Sequence, residues 1–233
     1  MLDRNQIRQF ILQGYVRIDD AFPKKLAVAA REILWKRIDA DPNDVMSWKH
    51  PVVRLGMFDD EPFIKAANTP ELHHAFDQLA GKDRWMPCSS MGTFPVRFPS
   101  KEEPNDTGWH VDASFPGKDP SDYFSWRINV HSKGRLLLML FLFSDISEND
   151  APTRLRVGSH AEVARILQPY GEEGLSFMEL AEKLDQLPRG NEAVATGSAG
   201  TVYLCHPFIA HAAQSHTGSV PRFLAQPPLL PKE

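Results

Sequence analysis

The chain has 233 residues, 42% of them hydrophobic, with a net charge of −4 and a pI near 6.1. That length and apolar content suit one domain spanning 1–233 with a substantial core. The mild acidity excludes the basic footprint of a general nucleic-acid binder.

Two cysteines, Cys88 and Cys205, are too few for a disulfide framework and fit a reducing cytoplasm. The start, Met1-Leu2-Asp3-Arg4, leads into an amphipathic segment rather than a signal peptide. In that segment Asp3 is placed to cap a helix, Ile7, Phe10 and Ile11 line one face, and Gly14 ends it. A short strand follows at Tyr15-Val16-Arg17-Ile18. A second helix opens at Pro23, a first-turn proline, with Leu26, Ala30, Ile33, Leu34 and Ile38 on one face. A third runs from Pro70 to Gly81.

Beyond Gly81 the apolar period shortens toward two and turn residues multiply, among them many of the 19 prolines. Strands are expected over 92–98, 108–112, 135–143, 154–157, 201–205, 209–213 and 222–226. The apolar run 136–143 is far short of the ~20 residues of a membrane helix and reads as a strand buried on both faces. Ser176-Phe177-Met178-Glu179 is a capping box opening a helix to about Leu187. Helices first and strands after give an α+β chain, mainly β, with a barrel or double-sheet core and flanking N-terminal helices. The Pro-rich loops 99–107 and 116–124 and the insert 158–198 are the expected lids.

The chemistry concentrates in the strands. His110 and Asp112 stand two apart, so in a strand they point to one face and Val111 into the core. Two histidines and one carboxylate are the donor set of non-haem Fe(II) oxygenases. His206, His211 and His216 compete to supply the second imidazole. His206 precedes Pro207 at a strand end, and His216 falls in the turn-like Ser215-His216-Thr217-Gly218, where solvent exposure is expected. A hairpin closing on that turn would bring His211 nearly opposite Arg222, which favours His211 as the ligand. Arg222 is suited to a two-pronged ion pair with a carboxylate.

Trp109-His110-Val111-Asp112, Val157-Gly158-Ser159-His160 and His211 with Arg222 together resemble the phytanoyl-CoA dioxygenase family of Fe(II)- and 2-oxoglutarate-dependent oxygenases. Phe10-Ile11-Leu12-Gln13-Gly14-Tyr15-Val16 resembles the family's opening helix, glycine and strand, and the likeness runs from about Ile7 to Pro228. It implies a cupin-like double-stranded β-helix, or jelly roll. It implies His110, Asp112 and His211 as iron ligands, Arg222 on the distal carboxylate of 2-oxoglutarate, and O2 as oxidant. The reaction implied is hydroxylation of an unactivated C–H bond of a small organic molecule, with release of succinate and CO2. The family's Pro-Gly-Ser-His is Val157-Gly158-Ser159-His160 here, and Asp150-Ala151-Pro152-Thr153 replaces its usual glycine before that strand. Related halogenases lack the carboxylate ligand, so the presence of Asp112 favours hydroxylation.

Thr153, Arg127, Asn129 and Arg135 are polar groups beside apolar strands. Thr153 foremost among them is a candidate for binding 2-oxoglutarate, although loop-fixing bonds use the same groups. Phe94, Trp109, Phe115 and Trp126 are candidates to line the pocket, or else ordinary core. His160 is expected to shape a turn or cap a helix. Two other readings stand beside the oxygenase: a cupin-type metalloenzyme that does not use 2-oxoglutarate, and a non-catalytic metal- or ligand-binding jelly roll.

Overall fold

The computed structural model describes residues 1–132, 134–188 and 190–232. In chain order the elements are α1 (Arg4–Gln13), β1 (Tyr15–Ile18), α2 (Lys24–Trp35), β2 (Val52–Leu55), α3 (Glu61–Ala67), α4 (Pro70–Ala80), β3 (Phe94–Arg97), β4 (Arg127–Ile128) and β5 (Leu137–Leu142). There follow β6 (Arg154–Arg156), α5 (Ser159–Leu167), β7 (Leu175–Ser176), α6 (Phe177–Asp185), β8 (Glu192–Val194), β9 (Val202–Cys205), β10 (His211–Ala212), β11 (Leu224–Ala225) and β12 (Pro228–Leu229). No helix among the described residues is long and apolar enough to cross a membrane.

The caps explain the helix limits. Asp3 and Gln6 satisfy each other's backbone in a capping box at the start of α1, and Gly14 closes it in the left-handed conformation. Ser176 and Glu179 form the same box on α6. Pro23 is the cap of α2 rather than its first-turn residue, and that helix stops at Trp35, so Ile38 is buried from beyond its end. The 70–81 expectation matches α4, whereas the short helices α3 and α5 carry no long apolar period to announce them.

All strand pairings are antiparallel. The main sheet runs β1-β9-β5-β11, with β12 also on β5, and a second sheet runs β10-β6-β8. The two faces of β5 explain its unbroken apolar run. Leu137, Met139 and Phe141 join the core under the helices with Leu34, Phe63 and Phe76. Leu138, Leu140 and Leu142 join a second core with Leu155 of β6, Tyr203 and Cys205 of β9, and Leu224. Each such side chain contributes about 1.5–3 kcal/mol when fully buried. A polar substitution anywhere in β5 would therefore damage one core or the other. A third cluster joins Val111, Ile128 and Phe208 to Leu180 and Leu184 of α6, which brings that helix beside residues 108–112.

Candidate metal centre

His110 and His211 are directly opposed across an antiparallel bridge. His110 N donates to His211 O at 3.0 Å, and His211 N donates to His110 O at 2.9 Å. A mutually bonded pair of this kind sets both side chains on one face, and the two ring centroids are 4.4 Å apart. Asp112 completes the group: the nearest donor atoms of His110, Asp112 and His211 all lie within 4.8 Å of one another. Residues 108–112 do not form the expected strand, only this single bridge at His110, while the other edge of β10 pairs with β6 through Ala212 and Arg154. Val111 turns into the third core cluster as expected.

The imidazoles are presented in a definite tautomer. His110 Nδ1 faces Gly108 O at 3.0 Å, and His211 Nδ1 faces Ile209 O at 3.2 Å. A carbonyl only accepts, so each Nδ1 carries the proton and each Nε2 keeps its lone pair for a metal. Burial, and then the neighbouring His211, push the pKa of His110 down to about 4, which keeps that ring a neutral donor. For Asp112 burial alone would raise the pKa. The charge of Arg135, the largest opposing influence, helps to outweigh it and hold the carboxyl ionised, well below the usual carboxylate range. Asp112 Oδ1 is 3.6 Å from His211 Nε2, and Oδ2 is 2.7 Å from Arg135 Nη1. A neutral imidazole at His110 and an ionised carboxylate at Asp112 are protonation states that a divalent metal requires.

His110 and His211 line a cavity of about 680 Å³ together with Thr153, Arg97 and Arg222. Arg97 and Arg222 repeat the geometry of the histidines: each donates its N–H to the other's carbonyl, so their side chains are neighbours. Their charges are not equally matched. Arg97 pairs with Asp106 at 2.7 Å, and Arg54 holds the same carboxylate. Arg222 is 1% exposed and donates to Ala151 O and to Pro95 O, with no carboxylate in its own hydrogen bonds among the described residues. Burial, and then the charge of Arg97, lower its pKa well below the usual arginine value, against the weaker pull of Asp106. Its Nε, like that of Arg97, is buried without a partner. A guanidinium in that state fits an anion that enters the cavity.

One expectation fails here. His211 and Arg222 are not opposite each other across a hairpin: His211 opposes His110 and Leu155, while Arg222 opposes Arg97. The intervening loop folds instead onto the Ser147–Asp150 turn, where Asn149 O accepts from both Thr217 N and Gly218 N. His216 is consequently 5% exposed rather than at a solvated tip. His206 sits away from the trio among Phe10, His160 and Phe208, and His160 lies near the start of α5 with Nε2 facing Ile11 O at 3.1 Å.

Of the polar candidates, Arg127 donates to Glu173 O and Gly174 O, and Asn129 donates to Glu172 O, so both fasten the chain before β7. Thr153 is buried at the cavity wall. Of the aromatic candidates only Trp109 is among the residues lining the cavity, while Phe94 packs in the core edge-on to Phe58 and Phe63 and tilted against Phe143. All three expected lid segments contribute to the wall: Asp106 from the first, Phe124 from the second, Phe177 and Met178 from the third. Arg97, Asp106 and Phe177 carry no sequence signal for this role. Each becomes meaningful only through a partner far along the chain.

No family model matches the sequence, and no curated protein resembles it at the sequence level. Solved structures do match. HygX from Streptomyces hygroscopicus, with nickel, 2-oxoglutarate and hygromycin B bound, aligns with a TM-score of 0.59 at 18% identity, over 97% of this chain and 86% of that one. SnoK, the non-heme alpha ketoglutarate dependent carbocyclase from nogalamycin biosynthesis, gives 0.58 at 18% identity, over 98% and 84%. EctD from S. alaskensis, with 2-oxoglutarate and 5-hydroxyectoine, gives 0.60 at 17% identity, over 99% and 76%. At these identities the likeness is one of fold, and it extends over nearly the whole chain.

Proposed function

We propose that the chain is a single-domain Fe(II)- and 2-oxoglutarate-dependent oxygenase of the phytanoyl-CoA dioxygenase kind, built as a jelly roll, that hydroxylates a C–H bond of a small organic molecule. The observation that carries this reading is the donor trio His110, Asp112 and His211, whose two histidines line one cavity with the buried Arg222, an arginine with no carboxylate in its own hydrogen bonds among the described residues. The structural neighbours support it, since HygX and EctD were solved with 2-oxoglutarate bound and SnoK is alpha ketoglutarate dependent.

In this reading His110 and His211 hold the iron through Nε2 and Asp112 through Oδ1, and Arg222 binds the distal carboxylate of 2-oxoglutarate. Thr153, which lines the same cavity, would touch the co-substrate. Iron, when bound, supplies the activation of O2 that couples decarboxylation of 2-oxoglutarate to oxidation of the substrate. The protein binds, orients and excludes water. Trp109, Phe124, Phe177, Met178 and Ala181 give the cavity an apolar wall, and the Phe177 ring lies 5.4 Å from that of His110. That wall is where the reacting carbon of the substrate is held.

The test is an anaerobic titration of the metal-free protein with Fe(II), then with 2-oxoglutarate, followed in the visible spectrum. A weak metal-to-ligand charge-transfer band that appears only with both additions is expected. Iron bound without a band would make this a metalloprotein that does not use 2-oxoglutarate, and no bound iron would overturn the reading.

A further inference from the structure

The two oxygens of Asp112 face different partners. Oδ1 points toward His211, and Oδ2 accepts from Arg135 Nη1 at 2.7 Å. The other arm of the same guanidinium, Nη2, donates to Ala113 O at 3.1 Å. Arg135 therefore grips the carboxylate and the backbone of the following residue together, which fixes the side-chain torsion of Asp112.

The grip is rigidly mounted. Arg135 N donates to Ser132 O at 3.2 Å, and Ser132 Oγ donates to Arg135 O at 2.5 Å. Leu136 N then donates to Leu229 O at 2.8 Å, which anchors the chain at the entry to β5. Gly134, at φ +85°, lies so close to the Asp112 segment that an added Cβ would come within 2.4 Å of Ser114 O. Only glycine permits that approach, and the approach brings Arg135 within reach of Asp112.

We infer that Arg135 is a positioning residue for Asp112: it occupies Oδ2, so the carboxylate offers Oδ1 alone to the metal. The inference rests on the reading of the trio as an iron site. Its chemical consequence is a matter of counting. The oxygenase donor set works because positions on the metal stay open to other ligands. A keto acid takes two of them, and a carboxylate that turned both oxygens to the metal would take the one left for O2. Direct contact of Arg135 with 2-oxoglutarate is disfavoured, because its guanidinium is turned onto Asp112 and Ala113 and Arg135 is not among the residues that line the cavity.

The test uses the full chain loaded with Co(II) alone, comparing wild type, Arg135→Ala and Arg135→Lys by visible d–d absorption before 2-oxoglutarate is added, and then measuring 2-oxoglutarate affinity at saturating Co(II). Arg135→Ala is expected to bind Co(II) with an altered d–d envelope and to lose about 10-fold in 2-oxoglutarate affinity, the scale of effects outside the ligand shell. Arg135→Lys, which keeps a cationic donor, should move the envelope back toward wild type and carries the test if the alanine variant does not fold. An unchanged envelope with weakened 2-oxoglutarate binding would overturn the inference and assign Arg135 to the co-substrate itself. An unchanged envelope with unchanged affinity would reduce the ion pair to a purely structural one. Failure of the wild type to bind Co(II) would instead remove the metal-site reading on which the inference stands.

Discussion

His110 and His211 at the cavity differ from His206 and His216, only a few residues along the chain from His211, in whether Nδ1 meets a backbone carbonyl or a backbone N–H. In the first pair Nδ1 faces a carbonyl, so Nε2 is left as a lone-pair donor. In the second pair Nδ1 accepts a main-chain N–H, from Phe208 in His206 and from Gly218 in His216, each at 3.1 Å. His216 then gives its Nε2 proton to Val220 O at 2.8 Å. A neutral imidazole has one lone pair. Two of these rings spend it on the backbone, and the other two keep it for the cavity. Composition and burial do not separate the pairs, since His211 and His216 are both among the buried polar residues. What makes a site histidine is the carbonyl two residues before it.

The largest expected effect breaks that comparison directly. His211→Ala should abolish Fe(II) and Co(II) binding, because it removes one of three donors and leaves Asp112 with Arg135 alone. His216→Asn should leave metal affinity unchanged within the error of calorimetric titration. Metal binding lost equally in both variants would show that the tautomer argument does not distinguish them.

The contrast extends to the arginines. Arg97 has its carboxylate inside the protein and Arg222 does not, so the second should depend on a ligand far more than the first. Arg222→Met should weaken 2-oxoglutarate by ~2 kcal/mol or more, roughly 30-fold, the scale of removing one partner of a buried charge pair. Metal binding should persist. The free protein should change little in thermal stability, because relief of a buried unmatched charge offsets the two carbonyls that lose their donor. Equal 2-oxoglutarate affinity in wild type and variant, measured at saturating Co(II), would move the distal carboxylate elsewhere in the cavity.

These contrasts mark what was legible in the sequence. The spacing of His110 and Asp112, the helix caps at Asp3 and Ser176, and the doubly buried run of β5 depend on neighbours a few residues away, and the sequence displays them. The residue opposite His211 depends on which strands pair, which no local pattern encodes. The expected hairpin pointed to the histidine that lies beside His110 and Asp112, but by the wrong geometry. His211 and Arg222 do share a cavity, but each is brought there by a different partner, His110 and Arg97, one hundred or more positions upstream. Asp106 is hidden for the same reason. In sequence it is one acid in a polar loop, and only the fold sets it between Arg54 and Arg97.

The smallest effect concerns His206 and sharpens the comparison through pH. Burial, and then the neighbouring His160, lower its pKa from 6.5 to about 4. The ring centroids of the two histidines are 5.0 Å apart, and His206 N is tied to Gly14 O at 2.7 Å. The folded protein therefore refuses a proton that the unfolded chain accepts. Stability from this group is complete above about pH 6.5 and falls as the pH drops toward 4, by on the order of 1–3 kcal/mol. His110 is lowered as well, and on the proposed reading Co(II) would occupy it during this measurement. Melting curves between pH 7 and 4 on the Co(II)-loaded protein should consequently be flatter for His206→Asn, whose side-chain oxygen can still accept from Phe208 N. The slope should fall by up to one proton. An identical slope in the variant would mean that His206 is already protonated in the folded state, with Nδ1 unable to accept the Phe208 N–H, and the separation of the two histidine pairs would then hold for His216 alone.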